Sequence, residues 1–94
     1  MNEILIEDKT FEHLDFSNEK LKKGEYDNCM FNQCDLSEMN LSNYTFTECA
    51  FDNCNLSNAK LNDTGLKEVN FSNCKLLGLN FDDCSDFLFD VAFK

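Results

Sequence analysis

The sequence predicts an all-β fold in which the chain winds into a square coil of about four turns, twenty residues to a turn. Three regularities carry this. Large apolar residues recur at every fifth position: Ile6, Phe11, Phe16, Leu21, Tyr26, Phe31, Leu36, Leu41, Phe46, Phe51, Leu56, Leu61, Leu66, Phe71, Leu76 and Phe81. A second set, usually smaller, lies two residues earlier: Cys29, Cys34, Met39, Tyr44, Cys49, Cys54, Ala59, Thr64, Val69, Cys74, Leu79 and Cys84. The strings NCMFNQCDL, ECAFDNCNL and EVNFSNCKL then recur at a spacing of twenty. With 43% apolar residues, an unbroken run of sixteen arises by chance about once in a hundred thousand. A 3.6-residue helix and a flat alternating strand both fail to produce a period of five.

The sides follow in order. Ile6, Phe11, Phe16 and Leu21 centre the first coil, and Tyr26, Phe31, Leu36 and Leu41 the second. Phe46, Phe51, Leu56 and Leu61 centre the third, and Leu66, Phe71, Leu76 and Phe81 the fourth. Stacked coils put like residues about 4.8 Å apart, a spacing that suits Phe and Leu ladders. Asn, Asp and Ser at the corners supply side-chain hydrogen bonds to the turning backbone. After Phe81 the count fails, because the next centre would be Asp86. DVAFK at 90–94 nevertheless echoes EVNFS at 68–72, with Phe71 and Phe93 twenty-two apart. One domain over 1–94 is expected, with regular repeats at about 4–84, a bulge at 85–90, and 91–94 opening a further coil. Phe81, Phe87, Phe89, Val91 and Phe93 would then form an uncapped apolar end. That end is the candidate surface for coil extension or for an end-to-end two-fold dimer.

The pattern over 4–84 resembles the pentapeptide-repeat family, whose usual unit is A(D/N)LXX, with Cys here in many of the Ala positions. The resemblance implies a right-handed quadrilateral β-helix. It also implies one candidate function, because members of the family act as DNA mimics that bind DNA gyrase or topoisomerase IV and shield them from quinolones. This chain is about half the usual length of those members and shows no large inserted loop.

Composition narrows the function classes independently. Eighteen acids face eight lysines, for a formal net charge of −10, and arginine is absent. Direct nucleic-acid binding is therefore disfavoured. No run of eighteen apolar residues suggests a membrane helix, and the start, MNEILIED, is acidic where a signal peptide is basic. A cytoplasmic protein is expected. No Ser-His-Asp set, paired carboxylates or P-loop is present, so an enzyme is not expected, nor a cofactor. The six cysteines read as reduced core filler: Cys34, Cys54 and Cys74 share one line, Cys29 and Cys49 another. Zinc would need three or four converging ligands, so no metal site is expected. His13 reads as a solvated corner residue, Tyr44 as packing, and Gly24, Gly65 and Gly78 as places where a side chain is dispensable.

The candidate interaction face is the Ile6 side, which carries Glu7, Asp8, Glu25, Asp27, Glu48 and Glu68 against Lys67. The Leu21 side carries Lys20, Lys22, Lys23 and Lys60, relieved by Asp63, Asp82 and Asp83, and the Phe11 and Phe16 sides read as mostly neutral. A charge run is first of all a solvated face. Four and a quarter coils make a rod of roughly 20 Å, over which duplex DNA would carry about twelve charges. An acidic scaffold with an unknown protein partner and a mimic of DNA that binds a type II topoisomerase are the two binding readings.

Overall fold

Thirteen of the described five-residue units turn their corner through one residue in the left-handed region. That residue always lies two after a centre: Asp8, His13, Asn28, Gln33, Glu38, Asn43, Glu48, Asn53, Asn58, Asp63, Glu68 and Asn73 have φ of 54–68°, and Gly78 has φ 80°. Asn and Asp tolerate this region better than most residues, which accounts for much of the chain's asparagine. The corner asparagines are thus selected for backbone conformation more than for side-chain bonding. The expected side-chain bonds come instead from the residue before a centre. Asp35, Asn40 and Asn55 each accept from the backbone N–H two residues on, at 3.0 Å.

A computed structural model describes residues 4–16, 21–80 and 91–93. The strands are β1 (Ile4–Glu7), β2 (Thr10–Glu12), β3 (Gly24–Asp27), β4 (Met30–Asn32), β5 (Thr45–Thr47), β6 (Ala50–Asp52), β7 (Gly65–Lys67), β8 (Val69–Ser72) and β9 (Val91–Phe93). They form two parallel sheets, one in the order β1-β3-β5-β7 and the other β2-β4-β6-β8-β9. Partners are twenty residues apart, as in Tyr26↔Phe46 and Phe31↔Phe51. The last pair is offset by twenty-two: Val69↔Val91 and Phe71↔Phe93. The other two sides of the square pair through single bridges, Asp15↔Asp35↔Asn55↔Lys75 and Asn40↔Lys60. The chain is therefore a four-sided β-solenoid, with one residue of every pentapeptide at its axis.

Of the fifteen centres from Ile6 to Leu76, twelve are buried, and Ile6, Phe11 and Leu76 pack against them partly buried. Phe81 lies outside the described residues. Phe11, Phe31, Phe51 and Phe71 stack face to face with centroid steps of 4.8, 4.7 and 5.2 Å. The neighbouring column meets them edge-on: Phe46 lies 5.9 Å from Phe31 at 79° and 5.4 Å from Phe51 at 73°. Both geometries are favourable for aromatic quadrupoles.

The glycines differ from expectation. A Cβ on Gly24 would lie 2.5 Å from both the Ile4 carbonyl oxygen and Ile4 Cγ1. One on Gly78, already at positive φ, would lie 2.1 Å from Asn58 Oδ1. A side chain at these positions is excluded rather than dispensable. The proposed bulge at 85–90 falls outside the described residues.

Phe51 is 1% exposed in the middle of its column. Phe51→Ala is expected to lower unfolding free energy by about 3–5 kcal/mol, measured by urea denaturation; a loss below about 1 kcal/mol would contradict a continuous core.

Candidate functional site

Two features stand out from the solenoid: its acidic outer surface and its lines of cysteine. On the β1-β3-β5-β7 sheet, Glu7 pairs in register with Asp27, and Glu25 lies between Leu5 and Thr45. Asp8, Glu48 and Glu68 sit at the corner that follows, each with positive φ. All six acids are on the outside, Asp27 half-buried and the others exposed. Asn28 Nδ2 donates to Asp8 Oδ1 at 2.7 Å, so a neutral amide separates Asp8 from Glu48 along that corner. Glu7 and Asp27, one strand step apart, repel by about 0.8 kcal/mol in water.

The other sides are less neutral than their composition suggested. Asp15 and Asp35 bridge in register, and Glu12 and Asp52 stand on β2 and β6 with Asn32 between them. The negative charge therefore wraps three sides instead of collecting on one. Positions flanking the centres were the available signal, since Asp15 and Asp35 precede theirs and Glu12 and Asp52 follow theirs. Between the second and third sides runs an open groove of about 500 Å³, whose lining includes His13, Asp15, Cys34, Asp35, Cys54 and Lys75. His13 is exposed at that corner, as expected. Phe81, Phe87 and Phe89 and the side chains of Val91 and Phe93 lie outside the described residues.

The cysteines occupy the inward slots in two stacked lines, and they also donate. Where a coil turns after its third or fourth side, the centre's carbonyl accepts the backbone N–H three residues on, as in Met39→Leu36 (3.2 Å), Tyr44→Leu41 (3.1 Å) and Ala59→Leu56 (3.1 Å). With positive φ at the third residue, these corners are type II turns. After the first and second sides, no such bond closes the turn among the described residues. There a thiol from the next coil reaches the centre's carbonyl instead, except above Phe46, where the slot holds Val69 and brings no donor. Cys49 Sγ donates to Tyr26 O at 3.2 Å, Cys54 to Phe31 O and Cys74 to Phe51 O at 3.1 Å, and Cys29 and Cys34 to Ile6 O and Phe11 O at 3.5 Å. At the third-side corners, where the backbone already supplies the donor, the slot holds Met39 and Ala59. Filler is thus half of the cysteines' role. Tyr44 likewise adds a bond to its packing, donating its hydroxyl to Leu21 O, and Tyr26 donates to Lys22 O.

All five described cysteines are free thiols; Cys84 lies outside the described residues. Burial pushes the Cys49 thiol up to about 12 and raises Cys34. Burial also raises Tyr26 and Tyr44. The neighbouring Cys54 thiol lowers Cys74, and the same interaction raises Cys54. Among the described residues, no helix is long and apolar enough to cross a membrane.

Cys49→Ala is expected to destabilise by about 1–3 kcal/mol, because it leaves a buried carbonyl without a donor. The same thiol makes the parent sensitive to alkali. The unfolded thiol ionises near 9.0 and the folded one only near about 12, so stability is full below pH 9 and declines as pH rises toward 12. Urea melts at pH 8 and 10.5 should show a smaller decline for the variant; an equal decline would refute the assignment.

The sequence profile described as "Pentapeptide repeats" matches residues 27–63 in eight copies. No curated protein matches the chain significantly. Among solved structures, full-length QnrB1, described as a plasmid-mediated fluoroquinolone resistance protein, superposes with TM-score 0.66 at 18% identity over 82% of this chain and 48% of QnrB1. The chain thus spans about half the length of that protein. Rfr23, a pentapeptide repeat protein from the cyanobacterium Cyanothece 51142, superposes with TM-score 0.61 at 15% identity over 96% of this chain and 88% of Rfr23. At these identities the two structures share a fold with this chain.

Proposed function

We propose that this chain, a pentapeptide-repeat protein, is a non-enzymatic acidic scaffold that binds a protein partner in the cytoplasm. The observation that carries the proposal is the outward Glu7, Asp8, Glu25, Asp27, Glu48 and Glu68 set on one sheet, including a like-charged pair in register. The partner presents a basic surface, and the charge steers the encounter more than it tightens the complex. Five free thiols suit a reducing compartment. Nothing in the reading calls for a cofactor, a membrane or direct contact with nucleic acid.

A narrower version makes the partner a type II topoisomerase, with the rod standing in for DNA. What favours it is the linear charge: net −10 on a coil of roughly 20 Å, against about twelve charges on duplex DNA of that length. The superposition on a fluoroquinolone resistance protein supplies the shape of the argument and not the partner. Replacing Glu25, Asp27, Glu48 and Glu68 by Lys should abolish binding to gyrase or topoisomerase IV at low salt while leaving the far-ultraviolet spectrum unchanged. Retained affinity in that variant excludes this face. No affinity in the parent excludes the topoisomerase version and leaves the scaffold reading to an unbiased pull-down compared between parent and variant.

The same proposal includes association through the C-terminal end formed by Phe81, Phe87, Phe89, Val91 and Phe93. Sedimentation of the 94-residue chain should then show a homodimer that Phe87→Asp dissociates; a monomer at all concentrations argues against it.

A further inference from the structure

The groove at the second corner is a trough of mixed charge whose two walls are set by the backbone. One wall is the corner column with Gln33, Asn53 and Asn73; the other is the column Asp15, Asp35, Asn55 and Lys75. Successive levels are tied together. Gln33 N–H donates to Asp52 O and Asn53 N–H to Ser72 O at 2.8 Å, while Asp35, Asn55 and Lys75 donate to the carbonyls of Leu14, Cys34 and Cys54 at 2.9, 3.0 and 2.9 Å. Asp35, Asn55 and Lys75 are bridge partners in turn, so each level stands one coil step of about 4.8 Å from the next. Asp35 and Asn55 also commit Oδ1 to the backbone N–H two residues on, which fixes where those side chains point. The second wall is therefore formed before any ligand arrives.

Charge along that wall is ordered, and the order selects a ligand. Carboxylates occupy the first two levels, Asp15 and Asp35, an amide the third, and the Lys75 ammonium the fourth. A purely cationic ligand meets Lys75 and a purely anionic one meets the carboxylates; a ligand with a cation at one end and an anion at the other satisfies both. Asp35 and Lys75 are two steps apart, about 9.6 Å. Polyproline II repeats every three residues over about 9.3 Å, so it turns residues i and i+3 to the same side. A β-strand covers a similar distance in three residues but turns those two side chains to opposite faces. Polyproline II also leaves its own carbonyls without internal hydrogen bonds, and the carboxamides of Gln33, Asn53 and Asn73 carry N–H groups to donate to them. Asn53 Nδ2 spends one of its two N–H groups on Asp52 Oδ1 at 3.3 Å. The groove's volume of about 500 Å³ lies within the ~300–1,000 Å³ of sites that take a ligand of a few residues.

We propose that this groove binds an extended, proline-rich segment of a partner protein in the polyproline II conformation, with lysine or arginine at one position and aspartate or glutamate three residues later. The cation lies against Asp35, with Asp15 one level beyond, and the carboxylate lies against Lys75. The segment therefore runs in one direction, from the second coil to the fourth. Its charges cancel, so recognition rests on their order rather than on the net −10 of the chain. The site is separate from the acidic sheet on the Ile6 side and does not rest on the function proposed above.

The test titrates the acetylated, amidated peptide Lys-Pro-Pro-Glu and its reversed counterpart Glu-Pro-Pro-Lys into the isotope-labelled full-length chain, followed by two-dimensional NMR. Both peptides are neutral overall, so a general attraction to acid treats them alike. The first should bind about tenfold more tightly, because reversal exchanges two attractive surface pairs for two repulsive ones. It should move the signals of residues 33–35, 53–55 and 73–75. Lys-Gly-Gly-Glu, which must be ordered on binding, should bind more weakly than the proline peptide. Combining Asp15→Asn, Asp35→Asn and Lys75→Glu keeps the turn acceptor at position 35 and should invert the order preference. Replacing Glu25, Asp27, Glu48 and Glu68 by Lys should leave the preference as it is, which keeps a failure of this site distinct from a failure of the acidic face. Equal affinity for the two orders in the parent, equal affinity for the glycine peptide, shifts confined to the Ile6 side, or a preference that survives the triple variant would each overturn the site. Should circular dichroism show the triple variant unfolded, the parent's order preference and shift map decide.

Discussion

Parallel hydrogen bonding between coils at a fixed offset of twenty residues is the constraint on which the rest of the structure depends. It sets every residue over its equivalent in the next turn, as Glu25 lies over Thr45 and Phe31 over Phe51. A side chain is therefore tested against its own kind about 4.8 Å away. Flat aromatic rings and leucines pass that test in the interior, which is why one column holds phenylalanine at every described level from Phe11 to Phe71. Like charges fail it mildly on the outside, where water screens them. Glu7 over Asp27 and Asp15 over Asp35 are tolerated for that reason.

The corners impose a second demand, because a square coil breaks the backbone ladder four times per turn. Two corners close with a type II turn and satisfy the centre's carbonyl from the main chain. The other two leave that carbonyl to a side chain, a thiol at Ile6, Phe11, Tyr26, Phe31 and Phe51 but not at Phe46, and a thiol is small enough to fit the slot while still carrying a donor. Thr64 adds a side-chain donor at a fourth-side corner as well, its hydroxyl 2.6 Å from Leu41 O, which also accepts the Tyr44 N–H. The preference for Cys over Ala in this chain thus has a local cause, independent of redox chemistry.

The surface reads differently from the interior because nothing packs against it. Outward positions on the sides accept Asn, Ser, Asp, Glu and Lys, and only a few of the acids, such as Asp35, bond to the coil's own backbone. The spread of acid over Glu12, Asp15, Asp35 and Asp52 as well as the Ile6 side gives the rod negative potential around much of its girth.

The five-residue count, the twenty-residue phase and the inward slots were legible from the chain alone, because a period imposed by backbone geometry writes itself into every repeat. The line-up of Cys34, Cys54 and Cys74, and the outward placement of Glu7, Asp27 and His13, followed from that phase without any coordinates. Three matters needed the tertiary structure. Which carbonyls lack a backbone donor depends on the two kinds of corner, and these share one residue pattern. Gly24 is required by its approach to Ile4, a contact between residues twenty apart that no local rule anticipates. The acidity of Cys74 arises from a thiol one coil away. The period determined where each residue stands; only the folded coil decided what stands beside it.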